Sequence, residues 1–292
     1  MKLNPILRSF ELSLVTVVVG VASLSYAQET VANNKVVDLS VISAPSASSP
    51  TPSPDPSPTR DPAASDDSGW HLAISPYLWL SGAHGTLGAF DRQISFKASV
   101  GDLLSNFRFG LMGIIDTRHD RLVTPVDIIW IRLADSKALP FPNIQATSAD
   151  VKVDEFILTP KIGYRMLDAE RFKIDGLVGF RYWHMGQNLS FSPSRLGLNL
   201  STSQNWVDPL VGARFIGMLS PKLEATIGGD VGGGGVQSQL DYQVGGALGY
   251  KLKPRWTLQA GYRYLFFDYR PNHTSLDLAM SGAFFGVTFK LK

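Results

Sequence analysis

The sequence predicts an all-β fold, a transmembrane antiparallel up-and-down β-barrel of about ten strands, and three observations support it. From Trp70 onward apolar residues recur at every second position, which is the period of a strand and not of a helix. The alternating segments are about 13 to 17 residues long, whereas strands of globular proteins usually run about 5 or 6. Their second face carries glycine and isolated charges of both signs, as the lumen side of a membrane barrel does.

The composition limits the classes of function. The 292 residues carry a net charge of only +2, and the lysines and arginines are scattered singly, which argues against a nucleic-acid partner. Cysteine is absent, so disulfides, thiol chemistry and a lipid-anchoring cysteine are excluded. The mean hydropathy is middling, which excludes a bundle of membrane helices.

Residues 1–27 are predicted to be a signal peptide. Lys2 and Arg8 form a basic start, an apolar run covers 12–24, and small residues precede a cleavage point after Ala27. The run is shorter than the about 20 residues that cross a bilayer as a helix. A buried helix of the mature fold is the alternative, but the cleavage-site pattern favours a leader that is removed on export.

Residues 28–68 are predicted to be a disordered periplasmic linker. Pro, Ser, Ala and Asp dominate the segment VISAPSASSPTPSPDPSPTRDPAASDDS, which ends at Ser68. Such a composition buries too little apolar surface to offset the entropy of ordering the chain. The folded domain is therefore expected to cover 69–292.

The alternation predicts ten strands in that domain. They lie near 69–82, 105–118, 121–134, 150–166, 172–187, 203–219, 223–233, 238–252, 255–270 and 277–291. The stretch GTLGAFDRQISFKAS is an alternative extra hairpin that would raise the number to twelve. Short and long connections alternate, which is typical of short periplasmic turns and longer outer loops, and an even number returns both termini to the periplasm.

Two local features call for special backbone geometry. Pro76, Pro125, Pro160 and Pro209 fall inside predicted strands, where proline removes a ladder donor, so we expect bulges or rim positions there. The glycine run 228–235 invites a phosphate-loop interpretation, but no GK[ST] follows it and no helical pattern begins. Bulges, sharp coiling or the close approach of a neighbouring strand explain it better.

The period of two assigns a set of charged residues to the lumen. The predicted lumen charge network consists of Arg108, Asp127, Glu155, Lys161, Arg165, Asp175, Arg181, Asp208, Arg214, Glu224, Asp230 and Arg263. Lys173 and Lys290 are assigned inward by the same rule, which leaves a slight basic excess. Barrels of ten to twelve strands lie between those filled by side chains and those with a water channel, so these charges either pair across the lumen or line a narrow pore.

One segment, GYRYLFFDYR at 261–270, shows the pattern most clearly. Tyr262, Tyr264 and Phe266 are assigned to lipid, and Gly261, Arg263 and Leu265 to the lumen. The alternation is expected to falter at Phe267 and Asp268, where the strand should leave the membrane. An arginine two residues after a glycine recurs at Arg165, Arg181 and Arg214, so the inward arginine is a repeated feature of the chain.

Several segments resemble a widespread group of poorly characterised outer-membrane β-barrel proteins of Gram-negative bacteria. They are PYLWLSGAHGTLG, DLLSNFRFGLMG, GFRYW, VDPLVGARF, GGDVGGGG and GYRYLFFDY, and the resemblance covers 69–292. It implies a barrel in the outer membrane, and it implies no catalytic residues. The expected partners are outer-membrane lipid and the outer-membrane assembly machinery. The chain departs from many such barrels by ending FFGVTFKLK and not on an aromatic residue, because Phe289 lies three residues short of the end.

These observations favour a structural protein or a passive small-solute pore with a charge-lined lumen. A basic excess inside a narrow pore would favour small anionic solutes, since rings of Arg or Lys are how anion pores select. The competing classes are a membrane-embedded barrel enzyme and a receptor or adhesin that acts through its outer loops. A soluble β-sandwich is the alternative fold if the membrane assignment is wrong.

Catalysis, metals and cofactors are not expected. The histidines show no paired spacing that would bind a metal. A hydrolase built in the barrel needs a serine, a histidine and an orienting polar group close together. His184 with Ser190 or Ser192 is the nearest such set, and pairs of this kind arise often by chance.

Overall fold

The computed structural model describes residues 69–89, 92–138, 148–192, 199–270 and 274–291. The predicted signal peptide and linker lie outside the described residues. The elements, in chain order, are β1 (Trp70–Ala89), β2 (Arg92–Ala98), α1 (Val100–Ser105), β3 (Phe107–His119), β4 (Leu122–Ala138), β5 (Ser148–Asp168), β6 (Phe172–Ser192), β7 (Asn199–Met218), β8 (Leu223–Gly233), β9 (Ser238–Lys253), β10 (Trp256–Tyr269) and β11 (Thr274–Lys290).

The strands form one closed antiparallel barrel. Each strand from β3 to β10 pairs with the one that follows it in the chain. β1 pairs with both β3 and β11, which closes the wall. Ten strands make the wall, as the sequence predicts. Among the described residues, no helix is both long and apolar enough to cross a membrane. The end of the barrel that carries the tight turns is called the turn end below, and the opposite end the loop end.

The predicted extra hairpin forms, but it does not add two strands to the wall. β2 pairs only with residues 83–89 of β1, so the hairpin extends the wall at the loop end. The helix α1 follows it and was not expected, because six residues are too few to show a helical period. A capping box starts this helix: the Ser99 hydroxyl accepts from the Asp102 N–H, and the Asp102 carboxylate accepts from the Ser99 N–H.

Along each strand, side chains alternate between the outer face of the barrel wall and the face that lines the lumen. On β10, Tyr262 is 56% exposed whereas Arg263 beside it is 6% exposed. The sequence predicts that the alternation falters at Phe267 and Asp268, but it continues there, since Phe267 is fully buried in the lumen and the strand extends to Tyr269. The physical reason is an apolar layer inside the barrel, where Phe267 packs against Trp183 and Trp206 with ring centroids 4.6 and 5.3 Å away.

The wall accommodates its four prolines without a change of register. Ladder pairs are missing at Pro76 between β1 and β11, at Pro125 between β4 and β5, and at Pro160 between β5 and β6. The same register resumes on both sides of each interruption, and Pro209 keeps its pairing with Phe180. The expected bulges are therefore not needed, because a proline removes only one donor from the ladder.

The glycine run ends in the turn that joins β8 to β9. Gly233, Gly234 and Gly235 have φ angles of 85°, 60° and 80°. These values lie in the left-handed region of backbone conformation, which residues that have a Cβ atom adopt only with strain. The run is thus a conformational requirement of a tight connection.

Heat-modifiable migration tests the closed barrel. We expect the purified protein to run at a different apparent mass on a detergent gel before and after boiling, because a closed ladder resists the detergent until it is heated. A urea-unfolded sample provides the control and should migrate like the boiled protein. An unchanged band, together with recovery in the soluble periplasmic fraction, would contradict the barrel.

Candidate functional site

The lumen holds three groups of ionic contacts, and the first lies towards the turn end. This turn-end cluster comprises Asp116, Arg165, Asp175 and Arg214. Asp175 is fully buried and accepts from Arg165 Nε at 2.8 Å and from Arg214 Nε at 3.0 Å. Arg214 also pairs with Asp116, so the cluster ties β7 to β3 across the lumen. Removing the Asp175 carboxylate would leave Arg214 paired with Asp116 alone, and Arg165 with only Asp168, whose Oδ1 lies 4.0 Å from Arg165 Nη1.

The central cluster is the most deeply buried and comprises Lys161, Arg181, Asp230 and Asp241. The Arg181 guanidinium is 0% exposed, donates from Nη2 to Asp230 at 2.7 Å and pairs through Nη1 with Asp241. Lys161 also pairs with Asp230. These contacts join β5, β6, β8 and β9, so four wall strands are tied together inside the lumen. A charge buried this completely is tolerated only when it is paired and hydrogen-bonded.

The side cluster consists of Tyr77, Asp127 and Arg263. Arg263 Nη1 lies 2.9 Å from Asp127 and donates to the Tyr77 hydroxyl at 2.8 Å, and that hydroxyl donates to Asp127 at 2.7 Å. The guanidinium also lies over the rings of Tyr77 and Trp79, at 5.0 and 5.5 Å. These interactions connect β10 with β1 and β4.

An aromatic cluster lies on the loop side of these ions. Trp183 and Trp206 stack at 5.5 Å, Trp206 stacks on Tyr269 at 4.4 Å, and Phe267 fills the corner between the two indoles. The indole N–H of Trp183 donates to Asp241 at 3.0 Å, which connects this cluster to the central ions. The Trp206 N–H donates to the fully buried Asp208, which also accepts from the Ser238 N–H and hydroxyl at the start of β9.

The structure brings together eight of the twelve residues of the predicted network in the three ionic clusters. They are Asp127, Lys161, Arg165, Asp175, Arg181, Arg214, Asp230 and Arg263. Asp208 serves the start of β9 instead. Arg108 is exposed beside a register shift of β3, and Glu224 lies near the turn end of β8.

Three participants were not predicted. Asp116, Asp241 and Tyr77 complete the clusters, although the period of two in the segments GIIDTRH and SQLDYQVGG would place both aspartates inward. With them, the clusters contain equal numbers of bases and acids, and the basic excess expected from the sequence is absent from the clusters among the described residues. Lys173 instead lies 3.7 Å from Asp168 near the turn end.

Cavities lie next to the clusters. A cavity of about 160 Å³ adjoins Lys161, Arg214, Asp230 and Arg263. A larger one of about 340 Å³ lies towards the loop end and is lined mainly by apolar side chains. Glu155 belongs to this larger cavity, where its Oε1 has no hydrogen-bond partner among the described residues.

Of the candidate catalytic residues, His184 and Ser190 do not come together. His184 and Ser190 lie on the outward face of β6 about 20 Å apart along the strand, at about 3.3 Å per residue. His184 Nδ1 lies 2.6 Å from the Asn205 side-chain oxygen, on the same outer face. The described part of the chain also contains no cluster of three or more metal-ligating side chains.

Replacing Arg181 tests the central cluster. We expect Arg181→Met to lower the free energy of unfolding by about 3–5 kcal/mol, because it leaves the Asp230 and Asp241 carboxylates buried without the guanidinium. Denaturant unfolding in detergent micelles, followed by the heat-modifiable band, measures the change. Arg132→Met is the matched control, since the Arg132 side chain is 54% exposed in its pair with Asp154, and its effect should stay within about 1 kcal/mol. Equal losses in the two variants would contradict a structural role for the central cluster.

Comparison with known proteins identifies the architecture. No protein-family description and no curated protein matches the chain. Among solved structures, it is similar to the outer membrane protease OmpT from Escherichia coli, with a TM-score of 0.52 and 10% identity over 79% of this chain and 99% of that chain. It also matches Ail, the attachment invasion locus protein of Yersinia pestis, with a TM-score of 0.34 and 12% identity over 75% and 99% of the two chains. At this identity the first match shows the fold alone, and the chain therefore has the fold of the small outer-membrane β-barrel proteins.

Proposed function

We propose that the protein is a non-catalytic integral barrel of the bacterial outer membrane whose lumen is sealed at mid-height. The observation that carries the proposal is the central cluster, in which Arg181 is completely buried between carboxylates from β8 and β9. The stacked indoles of Trp183 and Trp206 close the section above it. A lumen filled in this way holds the shape of the barrel and gives a solute no path.

The outer surface supports a location in a membrane. Large apolar side chains point outward around the wall, including Leu78, Ile162, Val211, Leu248 and Phe285, each about half exposed. In water such a surface would promote aggregation, whereas in a bilayer it contacts lipid tails. Outer-membrane lipid is therefore the expected partner of this face, and the assembly machinery that inserts barrels is the expected partner during folding.

A passive pore is the second candidate. Cavities lie on both sides of the filled section, so a path would open if the Arg181 and Arg263 contacts separated. The equal numbers of bases and acids in the clusters would give such a path little preference for anions. The buried state of Arg181 favours the sealed barrel over this alternative.

Single-channel recording in planar bilayers distinguishes the two. We expect no conductance steps from the wild-type protein, because the central cluster blocks the lumen. The double variant Arg181→Ala/Asp241→Ala removes one base and one acid from the section, and we expect it to conduct. Heat-modifiable migration confirms that each sample is folded, and a known open porin provides the positive control. Regular steps from the wild-type protein would overturn the sealed barrel and establish the pore.

A further inference from the structure

The wall of the barrel is interrupted between β1 and β3. β1 pairs with β3 only through Trp70–Pro76, and with β2 only from Ala83 onward. Between these stretches, no ladder pair among the described residues joins 77–82 of β1 to 107–112 of β3. Backbone groups inside a bilayer are normally all paired, so an unpaired stretch in a membrane barrel is unusual.

The interruption is a separation of two otherwise intact strands. β1 stays paired with β11 throughout 77–89, and β3 stays paired with β4 along its length apart from one register shift near Phe107. In the interruption, the Trp79 N–H donates to the Met112 sulfur at 3.4 Å. A side-chain thioether has taken the place of the backbone acceptor that a neighbouring strand would provide, and sulfur is a weak acceptor. This stretch of the wall is called the lateral gap below.

The larger cavity borders the lateral gap. Its lining includes Trp79 and Met112, whose side chains point inward, and also Leu78 and Leu80, whose side chains point outward. Successive residues of a strand point to opposite faces, so residues of both faces of β1 border the cavity beside the gap.

Side chains of the kind found at a membrane interface lie beside the gap. Phe109, on the edge of the gap, packs edge-to-face on Trp130 at 5.0 Å, and the Arg132 guanidinium lies over that indole at 4.7 Å. An aromatic ring with a cation beside it is typical of the membrane interface. Leu111 lies on the same outward face of β3, two residues closer to the turn end. Its side chain is exposed, as expected of a residue that faces lipid. Leu103 and Leu104 of α1 line the cavity from the loop side.

The deep end of the cavity is polar. Glu155 on β5 and Gln187 on β6 both line it, and Oε1 of each lacks a hydrogen-bond partner among the described residues. Glu155 pairs with Met185 and Gln187 pairs with Val153, so the two side chains are diagonal neighbours on adjacent strands. Buried acceptors are normally satisfied, and each unsatisfied one calls for an explanation. Two of them at the end of an apolar cavity indicate a missing hydrogen-bond donor.

We propose that this cavity binds a single-chain amphiphile with a hydrogen-bond-donating head group, such as a long-chain alcohol. The head lies at Glu155 and Gln187, and the chain runs past Trp79 and Met112 through the lateral gap into the outer leaflet. A volume of about 340 Å³ falls in the range of about 300–1,000 Å³ that is usual for small-molecule sites. The lateral gap explains the entry route, and the two acceptors explain the selectivity for a donor over a carboxylate or an alkane.

Photolabelling tests the site in the full-length protein reconstituted in lipid nanodiscs. The probe is a long-chain alcohol that carries a photoreactive diazirine on its chain, and the labelled peptides are mapped by mass spectrometry. We expect label on the β1, β3 and β11 segments that line the cavity. Excess 1-dodecanol should reduce this label about tenfold, whereas dodecane and dodecanoate at pH 8 should reduce it less than about twofold.

Two variants separate binding from folding. Ala83→Phe fills the cavity, and we expect it to reduce the label about tenfold, whereas Ala260→Phe adds the same ring on the exposed outer face and should leave it unchanged. Glu155→Leu removes one acceptor, so dodecanol should lose its advantage over dodecane as a competitor. Heat-modifiable migration reports whether each variant is folded, and if Ala83→Phe is not, the competition series in the wild-type protein still decides.

Other outcomes overturn the proposal. Label confined to outward-facing peptides, or equal competition by dodecane and dodecanol, would show that the cavity does not recognise a donor. Strong labelling of the same peptides by a phospholipid with a diazirine on its acyl chain, unaffected by dodecanol, would show that a membrane lipid occupies the cavity instead. The binding result is independent of the conductance result, because the site lies on the loop side of the central cluster.

Discussion

The constraint on which the structure depends is that backbone groups in a bilayer must find partners within the protein. Only a closed ladder satisfies it for strands, and the pairing of β1 with β11 closes this one. Closure in turn creates a lumen, whose walls turn every second side chain inward. The charges of a chain with long strands therefore meet inside a confined space, where each must be neutralised by another.

The buried arginines resolve that requirement by joining strands that are distant in the chain. Arg214 reaches Asp116 across the lumen, and Arg181 links β6 to β8 and β9. A guanidinium suits this role because its planar fork donates in several directions at once and stays charged when buried. Buried ion pairs contribute little net stability compared with apolar packing, but each fixes which strands face one another.

The lateral gap departs from the rule that backbone groups in a bilayer are paired, and for that reason it points to a function. A wall that keeps its register past Pro76, Pro125 and Pro160 nonetheless separates at 77–82. The apolar cavity begins where the ladder stops, and its deep end presents two unsatisfied oxygens. Below it, the central cluster and the indoles fill the lumen. The barrel is thus divided along its axis into a closed section that holds its shape and a section open towards lipid.

The sequence by itself determined the strands and their two faces, because a period of two is a local property of the chain, but it left ten and twelve strands open until the pairing of β2 decided for ten in the wall. It also placed Arg165, Arg181, Arg214 and Arg263 inward by the same local rule. Only the tertiary structure decided which acids meet them, since Asp116 and Asp241 lie far along the chain from their partners. Likewise, no local pattern separates β1 from β3 or leaves Glu155 in an apolar cavity. Those features depend on how the closed wall brings distant strands together, and that is set by the geometry of closure.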